Sequence, residues 1–485
     1  MNTPYKRTNI TLSGTGRSHA INSPHICRKP KFPMASFTAF WLALTLVFCN
    51  SLFAAAAHGE SQSLLFPLAG VRKTRGPSPS STGKTAAAFR QSLRGSEYSG
   101  NYSSTFKYTY ALILSLSIGT PPQNQSMVLD TGSQLSWIDC NRTMQTRTNE
   151  STRRRPNPPR PFVPSMSSSF FPISCSKDNN TCTPRVPSST LFTSCEGKGG
   201  PCRYSLFYAD GTPGEGSLVN EVFSLSKSQP PNNPLVTIGC ADNLKNAEGI
   251  LGMNQDNLSF PSQTGEHIFS YCVPLRRDLA GKNHDGAFIL GLNPSSPNFS
   301  YTYLLNFTES QKTLPSLDEF AYTVNMTGIR IAGTLLKINP TAFVPDHTGS
   351  GQTMIDSGTE YTYLVADAYN TVASEVSSRV RGKLKSAKTT IGGLEMCFNG
   401  SPREIGRVVG NMTLAFDTGA EILIPEERMA DEVEKGISCL GIGSSEMLNV
   451  ASNIIGNFHQ QNLWVEFDLT KYRVGFGPEN CSRVL

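Results

Sequence analysis

Met127-Val128-Leu129-Asp130-Thr131-Gly132-Ser133 is echoed by Thr353-Met354-Ile355-Asp356-Ser357-Gly358-Thr359. Each stretch is an apolar run that leads into an acid, a small hydroxyl residue, a glycine and a second hydroxyl residue. An aliphatic run closed by Asp and Gly reads as a strand ending in a turn. A single Asp-(Thr/Ser)-Gly carries little information, because ordinary composition supplies about 0.2 of them by chance in a chain of this length. Two behind equivalent strands imply a repeat, and two carboxylates on equivalent turns imply one shared site. The echo extends further: Gly249-Ile250-Leu251-Gly252 follows the first acid, and Ile454-Ile455-Gly456 the second, at comparable distances.

The rest of the chain suits a β protein. Its 485 residues allow two or three domains, and 38% hydrophobic and 16% charged residues with 41 Gly and 32 Pro describe a turn-rich, all-β class. The formal charge of +6 points towards nucleic acid or anionic membrane only until it is located. Residues 1–105 hold twelve Lys/Arg against Glu60 and Glu97, leaving 31 bases against 35 acids in the remainder. Among the strands and helices, Gly286–Leu290, Tyr322–Ile331 and Leu463–Phe467 read as strands and Ala366–Val380 as a helix. Tyr204–Phe223 reads as a hairpin around Asp210-Gly211.

The N-terminal part reads as leader. A basic extension, 1–33, precedes an apolar core within 34–57 that ends in Ala55-Ala56-Ala57, the pattern of a cleavable signal peptide, with a retained signal anchor as the alternative and Met34 as a candidate start. Residues 58–105, rich in Ser, Gly and Arg, read as a propeptide or flexible lead, and the ordered body is expected from near Tyr108. Residues 141–169, with Arg153-Arg154-Arg155 and several prolines, read as a solvated loop that no core accommodates. Ten cysteines beyond residue 57 and twelve Asn-x-Ser/Thr sequons from Asn101 to Asn480 indicate an oxidising secretory compartment. Cys175, Cys182, Cys195 and Cys202 lack both zinc-site spacing and a neighbouring His, so they read as disulfides whose connectivity stays open.

Taken singly, Asp130 or Asp356 is a turn residue; together they permit chemistry. Two carboxyls a few ångströms apart share one proton, since two adjacent charges in a poorly solvated place repel. The ionised member can then take a proton from water while the protonated member donates to a carbonyl oxygen. The motifs run in an order that resembles the pepsin-like aspartic proteases of the atypical plant group. They are Ser117–Gln123, Leu129–Trp137, Tyr208–Thr212, Gly249–Gly252, Ile355–Thr359, Ile454–Phe458 and Trp464–Asp468 with Val474–Gly477.

The resemblance implies a bilobal acid-protease fold of two pseudo-equivalent β-barrel lobes, 106–280 with a Cys-rich insertion and 281–485, with few short helices. It implies an aspartic endopeptidase with Asp130 and Asp356 as the dyad. Thr131 and Ser357 would bond the loops reciprocally, Ser133 and Thr359 would hold the outer carboxylate oxygens, and Gly132 and Gly358 would allow close approach. Tyr208 would be the flap tyrosine and Trp137 its support. Disulfides Cys397–Cys439, Cys272–Cys481 and Cys140–Cys240 are implied in the same way. No metal or cofactor is expected. The expected partners are protein or peptide substrates, for a monomer that binds no nucleic acid and meets a membrane only if the signal stays as an anchor. The expected location is the secretory pathway: extracellular or cell wall, with vacuole or endoplasmic reticulum as alternatives. A catalytically silent relative acting as a protein-binding inhibitor is the rival reading.

Overall fold

In a computed structural model, the described residues are 63–72, 110–140, 161–177, 181–182, 191–208, 213–225, 233–241, 248–276, 285–388 and 394–485, all within one compact unit, Ser61–Leu485. The leader readings for 1–57 and the three arginines of 153–155 lie outside them. The fold is mostly β, and the longest helix among the described residues is Ala366–Val380, as its periodicity predicts. Ala368, Tyr369, Val372, Val376 and Val380 recur along one face of that helix and are buried.

The repeat is real at the level of strand pairing. Gln123–Asp130 lies parallel to Gly249–Gly252, which is antiparallel to Trp137–Asp139, itself parallel to Leu235–Ala241. In the second half Thr353–Ile355 lies parallel to Asn453–Ile455, which is antiparallel to Thr362–Leu364, itself parallel to Ile442–Ser444. Thus each acid ends a strand beside an aliphatic–aliphatic–Gly strand, and the glycine has a steric reason. A Cβ on Gly252 would stand 2.9 Å from the Ser133 carbonyl, and one on Gly456 would stand 2.2 Å from that of Tyr361. The loop that carries each acid folds back across the space a side chain would occupy.

A continuous sheet section runs beneath this pair, in the order Ser300–Tyr303, Arg473–Pro478, Leu463–Asp468, Ile268–Cys272, Asp285–Leu290 and Leu64–Arg72, continuing into Tyr110–Ile118 and the first-half strands. Leu64–Arg72 corrects the sequence reading: the ordered body starts well before Tyr108. Pro67 and Gly70 punctuate this run and disguise it as a loop. Pro67 is tolerated because Leu64–Leu68 pairs only with the Asp285–Leu290 strand, the second neighbour joining from Ala69. The Tyr322–Ile331 stretch is strand only from Met326, with isolated bridges at Thr323 and Val324. The reading of 141–169 as wholly solvated is also corrected at its end. Phe162 is fully buried, bridged to Cys140, and tight against Gly119.

Disulfides join Cys140–Cys240, Cys272–Cys481 and Cys397–Cys439. The cluster of four pairs as Cys175–Cys195 and Cys182–Cys202, two interleaved loops of equal span.

Candidate active site

The two acid loops meet. The Thr131 amide donates to Ser357 Oγ (3.1 Å) and the Ser357 amide to Thr131 Oγ1 (2.9 Å), while the Ser357 hydroxyl donates across to the Leu129 carbonyl (2.9 Å). Thr131 Oγ1 in turn donates to the Ile355 carbonyl (3.3 Å), so each hydroxyl both accepts from and donates to the opposite loop, which fixes the loops directly against each other. Gly132 N and Ser133 Oγ donate to the two oxygens of Asp130 at 2.9 and 2.5 Å. Asp356 receives the Gly358 amide (2.9 Å), the Thr359 amide (3.0 Å), the Thr359 hydroxyl (2.5 Å) and a longer bond from Thr131 Oγ1 (3.3 Å).

This donor asymmetry has an electrostatic consequence. Asp356 carries twice as many donors, so the shared proton rests nearer Asp130, whose carboxyl is pushed up to about 7 first by burial and then by the charge of Asp356. The expected result is that the pair keeps its proton until about pH 7, so kcat/KM should fall above that value; a basic limb, with activity already falling as pH rises through about 5, would contradict it. Because this acid is raised from 3.8 in the folded state, its stabilising protonation is complete below 3.8 and lost as pH rises to about 7. Thermal midpoints should therefore fall from pH 4 to 7 more in the native protein than in Asp130→Asn.

Support comes from further along the chain. Gln460 Nε2 donates to the Asp356 carbonyl (3.1 Å), and Asn457 Nδ2 to that of Ser357 (3.0 Å). Tyr208, at the end of the Cys202–Phe207 strand, accepts a 2.5 Å hydrogen bond from Trp137 Nε1, which ties the hairpin to the first acid's own sheet. The hairpin tip 209–212 lies outside the described residues. Tyr208, Gly132, Ser133, Asp356 and Thr359 line one cleft of about 480 Å³, whose walls include Leu206, Phe207, Phe320, Met354 and Ile454.

Sequence reasoning missed two things here. Arg276, buried at the end of the first half, pairs through Nη1 with Glu360 (2.9 Å) and Asp431 (2.5 Å), and Glu360 directly follows Thr359. Only the chain path brings these together, so no local signal could find it. Asp318, in the cleft wall, also escaped notice. Its Oδ1 accepts from the Phe320 amide (3.0 Å), and burial, the leading cause, pushes its carboxyl up to about 6, with the charge of Asp356 adding to the effect.

The tripeptide alone also proves an insufficient signal. A third copy, Asp417-Thr418-Gly419, follows the strand Met412–Phe416, yet it is the turn into Glu421–Ile424, with Asp417 bonded to Thr302 and Asn325. Its glycine sits at φ +85°, the left-handed turn conformation that the two cleft glycines do not adopt.

The chain is 35% identical over 402 residues to the aspartic proteinase PCS1 of Arabidopsis thaliana, covering 78% of this chain and 83% of that one. It belongs to the pepsin-like plant aspartic proteases. Another member, the aspartic proteinase nepenthesin-1 of Nepenthes gracilis, is 30% identical over 377 residues, covering 76% and 78% of the two chains. Family models described as xylanase inhibitor N-terminal and xylanase inhibitor C-terminal match residues 112–291 and 321–478 of this chain. Its fold resembles the crystal structures of edgp (TM-score 0.55, 16% identity, 86% and 95% covered) and of basic 7S globulin from soybean (TM-score 0.54, 16% identity, 87% and 99% covered).

Proposed function

We propose that the protein is an active aspartic endopeptidase. The observation that carries this reading is the pair of acids on reciprocally bonded loops, each outer oxygen held by its own hydroxyl, with Asp356 and the Thr131–Ser133 loop lining a cleft beside the hairpin tyrosine. An extended peptide lies in the cleft. The ionised member of the pair takes a proton from a water molecule, whose oxygen adds to the peptide carbonyl, while the protonated member donates to the carbonyl oxygen. The tetrahedral intermediate then collapses as a proton passes to the departing nitrogen, and the pair again shares one proton. A protein that only bound other proteins would have no need of a raised acid between two fixed loops. The test is hydrolysis of a denatured protein at pH 3–6, blocked by pepstatin and abolished in Asp130→Asn; hydrolysis undiminished in that variant ends the reading.

The largely apolar walls favour aliphatic and aromatic residues beside the scissile bond. Asp318 adds acceptance of a basic side chain, since a carboxylate in an apolar wall is best satisfied by a cation. Asp318→Asn is expected to lower kcat/KM for Lys-containing peptides about tenfold relative to Leu-containing ones at pH 6.5, as for one charged hydrogen bond. An unchanged Lys/Leu ratio at every substrate position would refute this role.

Residence in the secretory pathway is supported by five disulfides and by the described sequon asparagines. Asn124, Asn257, Asn298, Asn306, Asn399, Asn411 and Asn480 are exposed and Asn325 is half-buried. Among the described residues no helix is long and apolar enough to cross a membrane.

A further inference from the structure

We propose that the mature protein retains Leu64–Arg72 as a permanent strand, so that maturation either cuts before Leu64 or leaves this strand bound as a separate short chain. The strand fills a gap that no other described strand fills. Six residues, Leu64 to Ala69, are in register with Leu290 to Asp285, and Ala69 to Arg72 are in register with Ile113 to Tyr110. The Asp285–Leu290 and Tyr110–Ile118 strands do not pair with each other, so among the described residues this strand alone joins the sheet section from Ser300–Tyr303 to Asp285–Leu290 with the first-half sheet. Removing it would strand the facing N–H and C=O groups of both neighbours, each costly when cut off from water.

Side chains lock the strand in place. Leu68 is fully buried and Phe66 packs against Phe288, with ring centroids 6.1 Å apart. A Cβ on Gly70 would stand 1.8 Å from the Tyr110 hydroxyl, so the ring of Tyr110 lies directly on this backbone. The same ring lies 4.3 Å from the Arg276 guanidinium, which pairs with Glu360 beside the second acid loop. The strand is therefore continuous with the packing that holds Asp356.

Strand replacement after processing is excluded by what remains. A cut near residue 105 leaves only residues 106–109 ahead of the Tyr110–Ile118 strand, four residues where nine are needed. Residues 73–105 contain Ala86-Ala87-Ala88-Phe89 and Leu93 among Ser, Gly, Arg and Lys, with no run of large apolar residues like Leu64-Leu65-Phe66-Pro67-Leu68 to take the place against Asp285–Leu290.

The test uses the full chain secreted and matured by its own host cell type, analysed by native mass spectrometry and by peptide mapping after denaturation. The expected result is Leu64–Arg72 present one-to-one with the body in the active species. Residues 106–485 produced alone should show at least tenfold less folded, active protein and recover with a 61–75 peptide, but not with a Leu68→Asp version of it. A matured protein of full specific activity and thermal midpoint without these residues overturns the proposal. Stoichiometry is read without any assay, so failure of the protease reading would leave this test intact. If residues 106–485 fold under neither condition, the mass measurement still decides.

Discussion

Gly358→Ala is expected to remove hydrolysis almost as completely as loss of an acid, whereas Gly132→Ala, at the pseudo-equivalent position, is expected to stay within about tenfold of the native rate. A Cβ on Gly358 would stand 2.2 Å from Asp130 Oδ1 and 2.5 Å from its Cγ. One on Gly132 would stand 3.2 Å from Asp356 Oδ1. The first distance is more than 1 Å inside contact and the obstructed atom belongs to the proposed dyad, so the carboxyl must move. A displacement of about 1 Å at a reacting group costs about a hundredfold or more. The second distance needs an adjustment of only tenths of an ångström. The strain in the fold itself is modest in both, about 1–3 kcal/mol for an overpacked site, so stability will not mirror activity. kcat/KM and thermal midpoints of the two variants check this; equal losses of activity would mean that the loops approach symmetrically.

Arg276→Met is expected to destabilise the protein by about 3–5 kcal/mol, because it leaves two buried carboxylates without their cation. Arg276 is only 7% exposed at its side chain, Glu360 8% and Asp431 11%. Its Nε and Nη2 have no hydrogen-bond partner among the described residues, and the rings of Tyr110, Tyr361 and Phe458 lie 4.3 to 5.1 Å from the guanidinium carbon. That sandwich suits a planar, weakly hydrated cation, so Arg276→Lys should recover only part of the loss. Since Glu360 follows the residue that donates twice to Asp356, kcat should fall in parallel. Denaturant midpoints and kcat for the two variants test the point; native-like stability in Arg276→Met would show that the cluster is not holding this loop.

The dyad loops were legible because their information is local. The apolar run, the acid, the hydroxyl at the next position and the hydroxyl directly after the glycine fix a strand, a turn and its internal hydrogen bonds within seven residues. The same locality explains the limits, as the hairpin turn at Asp417-Thr418-Gly419 shows: it has the same letters but no aliphatic–Gly strand beside it and no second loop to exchange hydroxyl bonds with. Leu64–Arg72 was hidden for the opposite reason. Its Pro67 and Gly70 are local signals of a loop, outweighed by a sheet gap that needs a strand of that length between two distant segments. Arg276 and Asp318 carry no motif at all; one acquires its role from carboxylates 84 and 155 positions away in the chain, the other from the wall of a cleft.

By itself, then, the sequence determined the all-β repeat, the helix at Ala366–Val380 and the identity of both acids, because periodicity and turn chemistry act over a few residues. The tertiary structure decided what those loops could become. Hydroxyl exchange between Thr131 and Ser357, the unequal clearance above Gly132 and Gly358, the unequal donors to Asp130 and Asp356, and the strand that closes the sheet below all join residues far apart in the chain. Such contacts depend on where packing brings two surfaces together, and a linear pattern holds no measure of that distance.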